Sequence, residues 1–140
     1  IISNSFKIGS VRLLEGRVNK DVWKKIQAWI QENIPTNEKV TAVGTGGNIT
    51  KLVDHAKKTS EGCATLAELE KTIQFLDSFT EEERIHKLKM NPDRADVIIH
   101  ASEIYLSAMR WAGAEEIYVP DLGLKDGILM LVYETLKNQK

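Results

Sequence analysis

Apolar residues recur along the chain at two different periods, and these predict which segments are helices and which are strands. Five segments carry apolar residues three and four positions apart, the spacing of one helix face. They are Val22–Ile30, Ile49–Ala56, Leu66–Leu76, Val97–Met109 and Ile128–Leu136. Short runs rich in apolar and β-branched residues predict three strands. These are Ser5–Leu14, with a bulge at Gly9, then Lys39–Val43, buried, and Glu116–Pro120. The sequence therefore predicts an α/β fold that is richer in helix than in strand.

Polar residues mark the ends of several predicted helices. Asn19 is suited to the N-cap of the first long helix, and Pro35 ends that helix. Thr65–Glu68 and Thr80–Glu83 have the spacing of capping boxes, so we interpret the acidic triplet in the second box as structural rather than metal-binding. Lys57–Lys58 follows another helix, whose carboxyl end these cations would complement.

The segment after Asn91 and Pro92 predicts a central, buried helix. Pro92 stands at a first helical position, and Gly113 is suited to a left-handed cap at the other end. Between them the residues are apolar on most sides, as in helices that other elements surround. We interpret His100 as a core histidine rather than a catalytic one, because no second catalytic group stands near it in the sequence.

Two glycine-rich turns each join a predicted strand to a predicted helix. Gly44–Asn48 follows the second strand, and Asp121–Gly127 follows the third. Such turns present free N–H groups and the positive end of a helix dipole to an anion. The turns are expected to meet at one crevice, where open α/β sheets bind ligands. The first turn lacks the Gly-Lys-Ser/Thr of a Walker loop, and Ile49 stands where a dinucleotide fingerprint has its third glycine, so an ordinary strand-to-helix connection remains the alternative.

The composition is that of one globular domain covering residues 1–140. The chain is 42% hydrophobic and 28% charged, with a net charge of −1, which gives no general attraction to nucleic acid or to anionic membranes. The single Cys63 cannot form an internal disulfide and is interpreted as an unreactive thiol. The chain begins at Ile1, almost directly in a predicted strand, so we expect it to be part of a longer protein.

Four stretches resemble, in order and spacing, the exopolyphosphatase and guanosine pentaphosphate phosphohydrolase family (Ppx/GppA). They are Ser5–Leu13, Ala42–Leu52, Asn91–Ile104 and Ile117–Leu129. The resemblance implies an actin-like, ribonuclease-H-like α/β domain of about three strands with flanking helices, namely the later part of the family's second domain. It also implies a cytoplasmic, homodimeric, Mg²⁺-dependent hydrolase that removes terminal phosphate from inorganic polyphosphate or guanosine pentaphosphate, with neither nucleic acid nor membrane as a partner.

The resemblance also implies which residues face the phosphates. The positions are Thr45, Gly46, Gly47, Asn48, Arg94, Gly123 and Lys125, with Gly127 in the same last turn. Lys125 replaces the usual arginine, so a compact ammonium group stands where the family has a planar guanidinium that can bind two phosphate oxygens. Ile99–Ala101 stands where the family commonly has Pro-Gly. This replacement predicts one continuous helix in place of the family's loop between a short and a long helix. From the residues alone, Arg94 is a surface ion pair with Asp93 or Asp96.

No catalytic residue and no metal ligand is expected within these 140 residues. In the family, the catalytic carboxylate and two further glycine loops would precede Ile1. We therefore expect the chain alone to be inactive, with exposed sheet edges and an altered or intermolecular sheet. Two alternatives remain: a non-catalytic module that binds nucleotide or polyphosphate, and a kinase-like member of the actin and sugar-kinase superfamily that binds ATP near Gly44–Asn48.

Overall fold

The computed structural model describes residues 1–35, 37–56 and 62–138, which form eight helices and three short strands. The helices are α1 (Ser10–Leu14), α2 (Lys20–Asn33), α3 (Gly47–His55), α4 (Leu66–Asp77), α5 (Glu81–His86), α6 (Pro92–Ala95), α7 (Ile98–Ala112) and α8 (Leu124–Lys137). The strands are β1 (Thr41–Val43), β2 (Cys63–Thr65) and β3 (Glu116–Tyr118). Lys57 and Lys58, predicted to cap α3, lie outside the described residues. No helix in the described ranges is both long enough and apolar enough to cross a membrane.

The strands form one mixed sheet in the order β1-β3-β2. β1 runs parallel to β3 with Ala42 opposite Ile117, and β2 runs antiparallel to β3 with Ala64 opposite the same residue. Ile117 and Ala64 are buried on the face that meets the core. Val43 and Tyr118 lie on the opposite face and are exposed. The prediction that the strand at Lys39–Val43 is buried is therefore only half right, because the described residues cover one face of the sheet and leave the other in water.

The core lies between the inner face of the sheet and helices α3, α4 and α7. Its fully buried side chains come from all three helices. They are Ile49, Leu52, Leu69, Leu76, Ile98, Met109 and Ser102. The apolar face predicted for Ile49–Ala56 is confirmed, since all four of its apolar residues are buried. On α2, Ile26 and Ile30 are buried, so the periodicity correctly located the packing faces of both helices.

The predicted caps at Asn19, Thr65, Thr80 and Gly113 are confirmed, whereas Asn91 precedes α6 without a side-chain cap bond. The Asn19 side chain accepts the Asp21 N–H at 3.1 Å, and both threonine capping boxes form. In the second box the Glu83 carboxylate accepts the Thr80 N–H at 3.0 Å and pairs with Lys87 at 2.6 Å. The hydrogen bond from Lys87 lowers the pKa of Glu83 most, followed by the hydrogen bond from the Thr80 backbone. The acidic triplet thus serves the helix start, as its position indicated.

The predicted strand at Ser5–Leu14 is wrong. Its second half is helix α1, which packs against α7, and Phe6 meets Trp29 edge-on with ring centroids 5.9 Å apart. A β-rich run forms a strand only where a partner strand is available, and here the segment lies against helices, with none of its side chains fully buried. The third strand of the sheet is instead β2, whose three residues are too few to show a period.

The prediction that one continuous helix replaces the family's short and long helices is wrong, although Ile99–Ala101 are themselves helical, within α7. The chain ends α6 at Ala95 and begins α7 at Ile98, with Val97 at φ −106° and ψ −8° between them. Ala95, Val97 and Ile98 are all buried. The Val97 N–H donates to the Arg94 carbonyl at 3.2 Å, three residues back rather than four, so the chain leaves the α-helical hydrogen-bond pattern at this point.

The predicted core face of the last helix is also wrong, because the helix forms but its apolar face is not buried. Ile128, Leu131, Val132 and Leu136 do share one face of α8, but each is at least 49% exposed, and no residue of α8 is buried. The pattern correctly predicts the helix. It does not say which surface covers it, and none of the described residues does.

Candidate phosphate site

The two glycine-rich turns meet at one crevice of about 370 Å³. Its lining comes from the start of α3 and from the segment that joins β3 to α8. The residues are Gly46, Gly47, Thr50, Pro120, Asp121, Leu122, Gly123, Lys125 and Asp126. The parallel pairing of β1 and β3 explains the meeting, because both strands end at the same edge of the sheet. The structure therefore brings together Gly46, Gly47, Gly123 and Lys125 of the predicted positions.

The first wall of the crevice is the start of α3. Gly46 precedes the helix at φ 107°, a conformation that glycine adopts at little cost. The helix hydrogen bonds begin at Thr50, whose N–H and Oγ1 both lie within bonding distance of the Gly46 carbonyl, at 3.2 and 3.1 Å. By position, the N–H groups of Gly47 and Asn48 have no acceptor within the helix. They are the donors that α3 offers to an anion.

The buried side of this turn is held by Tyr105 of α7. Burial raises the pKa of the Tyr105 hydroxyl, and a hydrogen bond with the backbone of Ile49 opposes that shift. Because the bond lowers the pKa, it is one in which the tyrosine oxygen accepts. The tyrosine oxygen therefore lies near a third N–H group of the α3 start. No local pattern indicates this contact, since Tyr105 lies 56 residues beyond Ile49.

The second wall is the start of α8, where the Asp126 carboxylate accepts the first free N–H group of the helix. The Gly123 N–H donates to Oδ2 of Asp126 at 2.7 Å, and the Asp126 N–H donates to the Gly123 carbonyl at 3.1 Å. The N–H groups of Leu124 and Lys125 have no acceptor within the helix by position. Two helix N-termini thus border the crevice, each with the equivalent of roughly half a positive charge.

The side chains of the crevice carry a mixed charge. Lys125 contributes one positive charge, whereas Asp121 and Asp126 contribute two negative ones, so the lining side chains sum to −1. Attraction of an anion must therefore come from the N–H groups and helix dipoles, with Lys125 as the cation in the lining. The spacing of Gly123 and Asp126, that of a capping box, could have revealed the Asp126 contact in advance.

Arg94 lies behind the first turn. Its Nη1 donates to the Gly47 carbonyl at 2.6 Å, and a β-carbon on Gly47 would come within 2.5 Å of Nη2. The contact replaces the ion pair that the residues alone favoured for Arg94. Arg94 is not part of the crevice lining. It braces the backbone that carries the Gly47 donor, and Gly47 lacks a side chain where the guanidinium packs.

The remaining predicted positions point elsewhere. Thr45 lines a separate apolar cavity of about 290 Å³, together with Ala42, Tyr105 and Met109. Asn48 is half-buried and lines neither space. The structure instead adds Thr50 and the two aspartates, which the sequence interpretation did not include among the site residues.

His100 is half-buried on α7 and lies away from the glycine turns. It lines a shallow groove with Glu103 and Arg110, and Arg110 pairs with Glu70 at 2.7 Å. His100 therefore does not line the crevice. It lies at the edge of the core, whereas the sequence predicted a core histidine.

Replacing Gly47 by alanine tests the contact between Arg94 and the turn. We expect the free energy of unfolding to change by less than about 1 kcal/mol, because alanine favours the helix while the guanidinium is pushed aside. The displaced guanidinium would no longer hold the Gly47 carbonyl, so we expect anion affinity at the crevice to fall. Urea unfolding and anion titration measure the two effects separately. A stability loss above about 2 kcal/mol would contradict a movable Arg94 side chain.

The fold is similar to that of several solved structures. A Ppx/GppA family member from Aquifex aeolicus matches 95% of this chain at 24% identity and a TM-score of 0.64. Another structure of the Aquifex aeolicus enzyme matches 89% of it at 22% identity and a TM-score of 0.66. An exopolyphosphatase from Cytophaga hutchinsonii matches 94% of it at 19% identity and a TM-score of 0.71. The sequence matches no family model and no curated protein.

The match covers only part of those structures. This chain spans 48%, 47% and 49% of the three chains, in the same order, or about half of each. The helix-rich α/β fold and the three-stranded sheet that the resemblance implied are confirmed. The third strand is β2 rather than the predicted Ser5–Leu14. The chain has the actin-like fold of about half of a Ppx/GppA structure.

Proposed function

We propose that this chain is part of a phosphoanhydride hydrolase that removes terminal phosphate from inorganic polyphosphate or guanosine pentaphosphate. The observation that carries the proposal is the crevice where the α3 and α8 N-termini meet, next to Lys125. The shared fold with an exopolyphosphatase from Cytophaga hutchinsonii supports the substrate class. Hydrolysis itself needs a carboxylate to position water, and we propose that residues outside this chain supply it.

In this proposal the two turns hold a phosphate by its oxygens. The N–H groups of Gly47 and Asn48 approach from α3, and those of Leu124 and Lys125 approach from α8. Gly46 and Gly123 leave room for the anion because they carry no side chain. The ammonium group of Lys125 adds a mobile point charge that can follow a phosphate chain of varying length. Arg94 acts through the Gly47 carbonyl and positions the turn.

Mg²⁺ is proposed to arrive with the phosphate chain. Within the described ranges no three His, Cys, Asp or Glu residues come together as a metal site. The two crevice carboxylates are too few for a cage made of protein ligands alone, and Asp126 is already bonded to the Gly123 N–H. Mg²⁺ commonly takes one or two carboxylates plus substrate phosphates and water, and Asp121 can provide one such ligand. The ion would offset the negative side-chain charge of the crevice.

The binding step is testable on the 140-residue chain itself. Calorimetric titration with tripolyphosphate and with guanosine pentaphosphate, at low salt and with Mg²⁺, should give saturable binding of at least one probe. Lys125→Ala should weaken that binding by about tenfold, the effect of losing one charge-assisted contact. Lys137→Ala, at the far end of the same helix, is the matched control and should leave the affinity unchanged.

Three results would count against parts of this proposal. Equal affinity in the Lys125 and Lys137 variants would place the anion outside the crevice. Steady, Mg²⁺-dependent phosphate release by the purified chain would refute the expectation that catalysis needs further residues. Binding of adenosine that competes with the phosphate probes would favour a kinase-like protein instead.

A non-catalytic phosphate sensor is the second candidate. The contacts of Arg94 and Asp126 favour it, because both side chains stabilise the backbone of the turns rather than face a reacting group. A sensor would bind the probes as above, and a longer protein that contains this chain would release no phosphate from either.

A further inference from the structure

A small apolar surface borders the phosphate crevice on the outer face of the sheet. Val43 and Tyr118 are the last residues of β1 and β3, lie opposite each other in the parallel pairing, and are 66% and 44% exposed. Leu122, which is 61% exposed, lines the crevice itself. We call these three side chains the apolar platform. The described residues leave the platform open to a bound molecule.

The platform lies within reach of a molecule bound in the crevice. Pro120 lines the crevice two residues after Tyr118, and Gly46 lines it three residues after Val43. Two and three residues span at most about 7 and 11 Å of extended chain. A phosphate held between the glycine turns can therefore carry an attached group that contacts the platform.

The Tyr118 ring is supported from one side by Gly62. A β-carbon on Gly62 would lie 3.4 Å from Cε2 of Tyr118 and 3.1 Å from the Val119 carbonyl oxygen, so the glycine leaves the space that the ring occupies. The Gly62 carbonyl also accepts the Val119 N–H at 2.7 Å, which holds this end of β3 in place. Because a tyrosine side chain has only two torsions to order, fixing the ring against a ligand costs little conformational entropy.

The open position of the platform favours a planar base as its occupant. A group bound there must keep its polar edges in water while it presents an apolar face to Tyr118. A nucleobase has this character, and bases stack on aromatic side chains whatever their sequence identity. An aliphatic group would leave most of its surface in water on so open a platform, which removes the gain from burial.

We propose that the crevice and the apolar platform together bind a nucleoside phosphate, with the phosphate between the two glycine turns and the base stacked on Tyr118. This inference rests on the proposed function for its phosphate part. It narrows the substrate to the nucleoside class, guanosine pentaphosphate rather than inorganic polyphosphate. Tyr118 then determines specificity, whereas Lys125 contributes equally to the binding of both classes.

Guanosine triphosphate and inorganic tripolyphosphate form a matched pair of probes, because both carry three phosphates and only one carries a nucleoside. Calorimetric titration of the chain with Mg²⁺ at low salt should give about tenfold tighter binding of guanosine triphosphate, the effect of one stacked base. Tyr118→Ala should remove this difference and leave the affinity for tripolyphosphate unchanged. Lys125→Ala should weaken the binding of both probes by the same factor.

Three further variants separate stacking from effects on the fold. Tyr118→Phe keeps the ring and should bind both probes as the unmodified chain does. Tyr118→Leu keeps an apolar side chain beside Gly62 but removes the ring, so it should lose the preference for guanosine triphosphate even where Tyr118→Ala unfolds. Tyr133→Ala on α8, where the tyrosine is 66% exposed, is the control and should change neither affinity.

Equal affinity of the unmodified chain for the two probes would overturn the inference, and so would an equal loss of both probes in Tyr118→Leu. Neither result affects the proposed function, which is judged by the binding of tripolyphosphate. Guanosine alone tests the platform without any phosphate. It should shift the ring-proton signals of Tyr118 upfield in NMR spectra, as a stacked base does, and should not compete with tripolyphosphate. Unshifted Tyr118 signals would refute the stacking, whatever the phosphate probes show.

Discussion

Replacing Arg84 by methionine is expected to lower the free energy of unfolding by about 3 kcal/mol, although arginine is usually a surface residue. Arg84 on α5 is buried, with Nε donating to the Leu76 carbonyl at 2.8 Å and Nη1 donating to the Ala95 carbonyl at 2.9 Å. These carbonyls lie at the ends of α4 and α6, where the helix offers no donor of its own. Methionine fills similar space but removes the Arg84 donor from the Ala95 carbonyl and leaves the Leu76 carbonyl only the Phe79 N–H, at 3.3 Å.

The matched control is Arg110→Met. Arg110 is exposed on α7 and pairs with Glu70 at 2.7 Å, a surface contact that contributes about 0.2–1 kcal/mol. Urea unfolding of both variants at one protein concentration gives the comparison. Equal losses would mean that water reaches the two carbonyls once Arg84 is gone, and the helix-end role of Arg84 would then be wrong.

Arg84 illustrates what the sequence leaves open. It stands in an acidic helix start, where a basic residue is expected to be solvated, and only the tertiary structure brings the Leu76 and Ala95 carbonyls to it. The same holds for Arg94, whose partner is the carbonyl of Gly47, 47 residues away. Side-chain contacts with distant backbone leave no periodic pattern in the sequence, so pattern analysis could not predict them.

Features with a local cause were predicted well. The capping boxes at Thr65 and Thr80 depend on residues three positions apart, and the core face of α3 depends on a 3.6-residue period. The meeting of the two glycine turns follows from parallel strands that end at the same edge of the sheet. Local spacing and chain topology were therefore enough to locate the crevice.

Features that depend on a missing or distant partner were predicted poorly. The Ser5–Leu14 segment has the composition of a strand, but no strand of the described sheet pairs with it. The period of α8 indicates a buried face, and the described residues bury none of it. Hydrophobicity shows that a surface needs covering without showing what covers it. That difference separates the confirmed α3 face from the uncovered α8 face.

Replacing Ile49 by alanine is expected to lower the free energy of unfolding by about 2–5 kcal/mol, as for other buried aliphatic side chains cut back to a methyl group. Ile49 is fully buried in the first turn of α3. Its Cγ1 would lie 2.8 Å from a β-carbon on Gly44, and Ile117 of β3 would lie at 2.9 Å from the same point. The side chain thus fills the space that Gly44 leaves between α3 and the sheet, and alanine opens a cavity there.

The same substitution should reach the crevice, because Ile49 anchors the turn that carries the N–H groups of Gly47 and Asn48. We expect tripolyphosphate affinity to fall in Ile49→Ala and to be largely retained in Ile49→Val, which costs about 0.5–1.5 kcal/mol. Ile2→Ala, at a position that is 65% exposed, is the control for both measurements. If affinity is unchanged while stability falls, the turn holds its shape through Arg94 and Tyr105 alone. If both fall together, the core packing of Ile49 sets the geometry of the phosphate site.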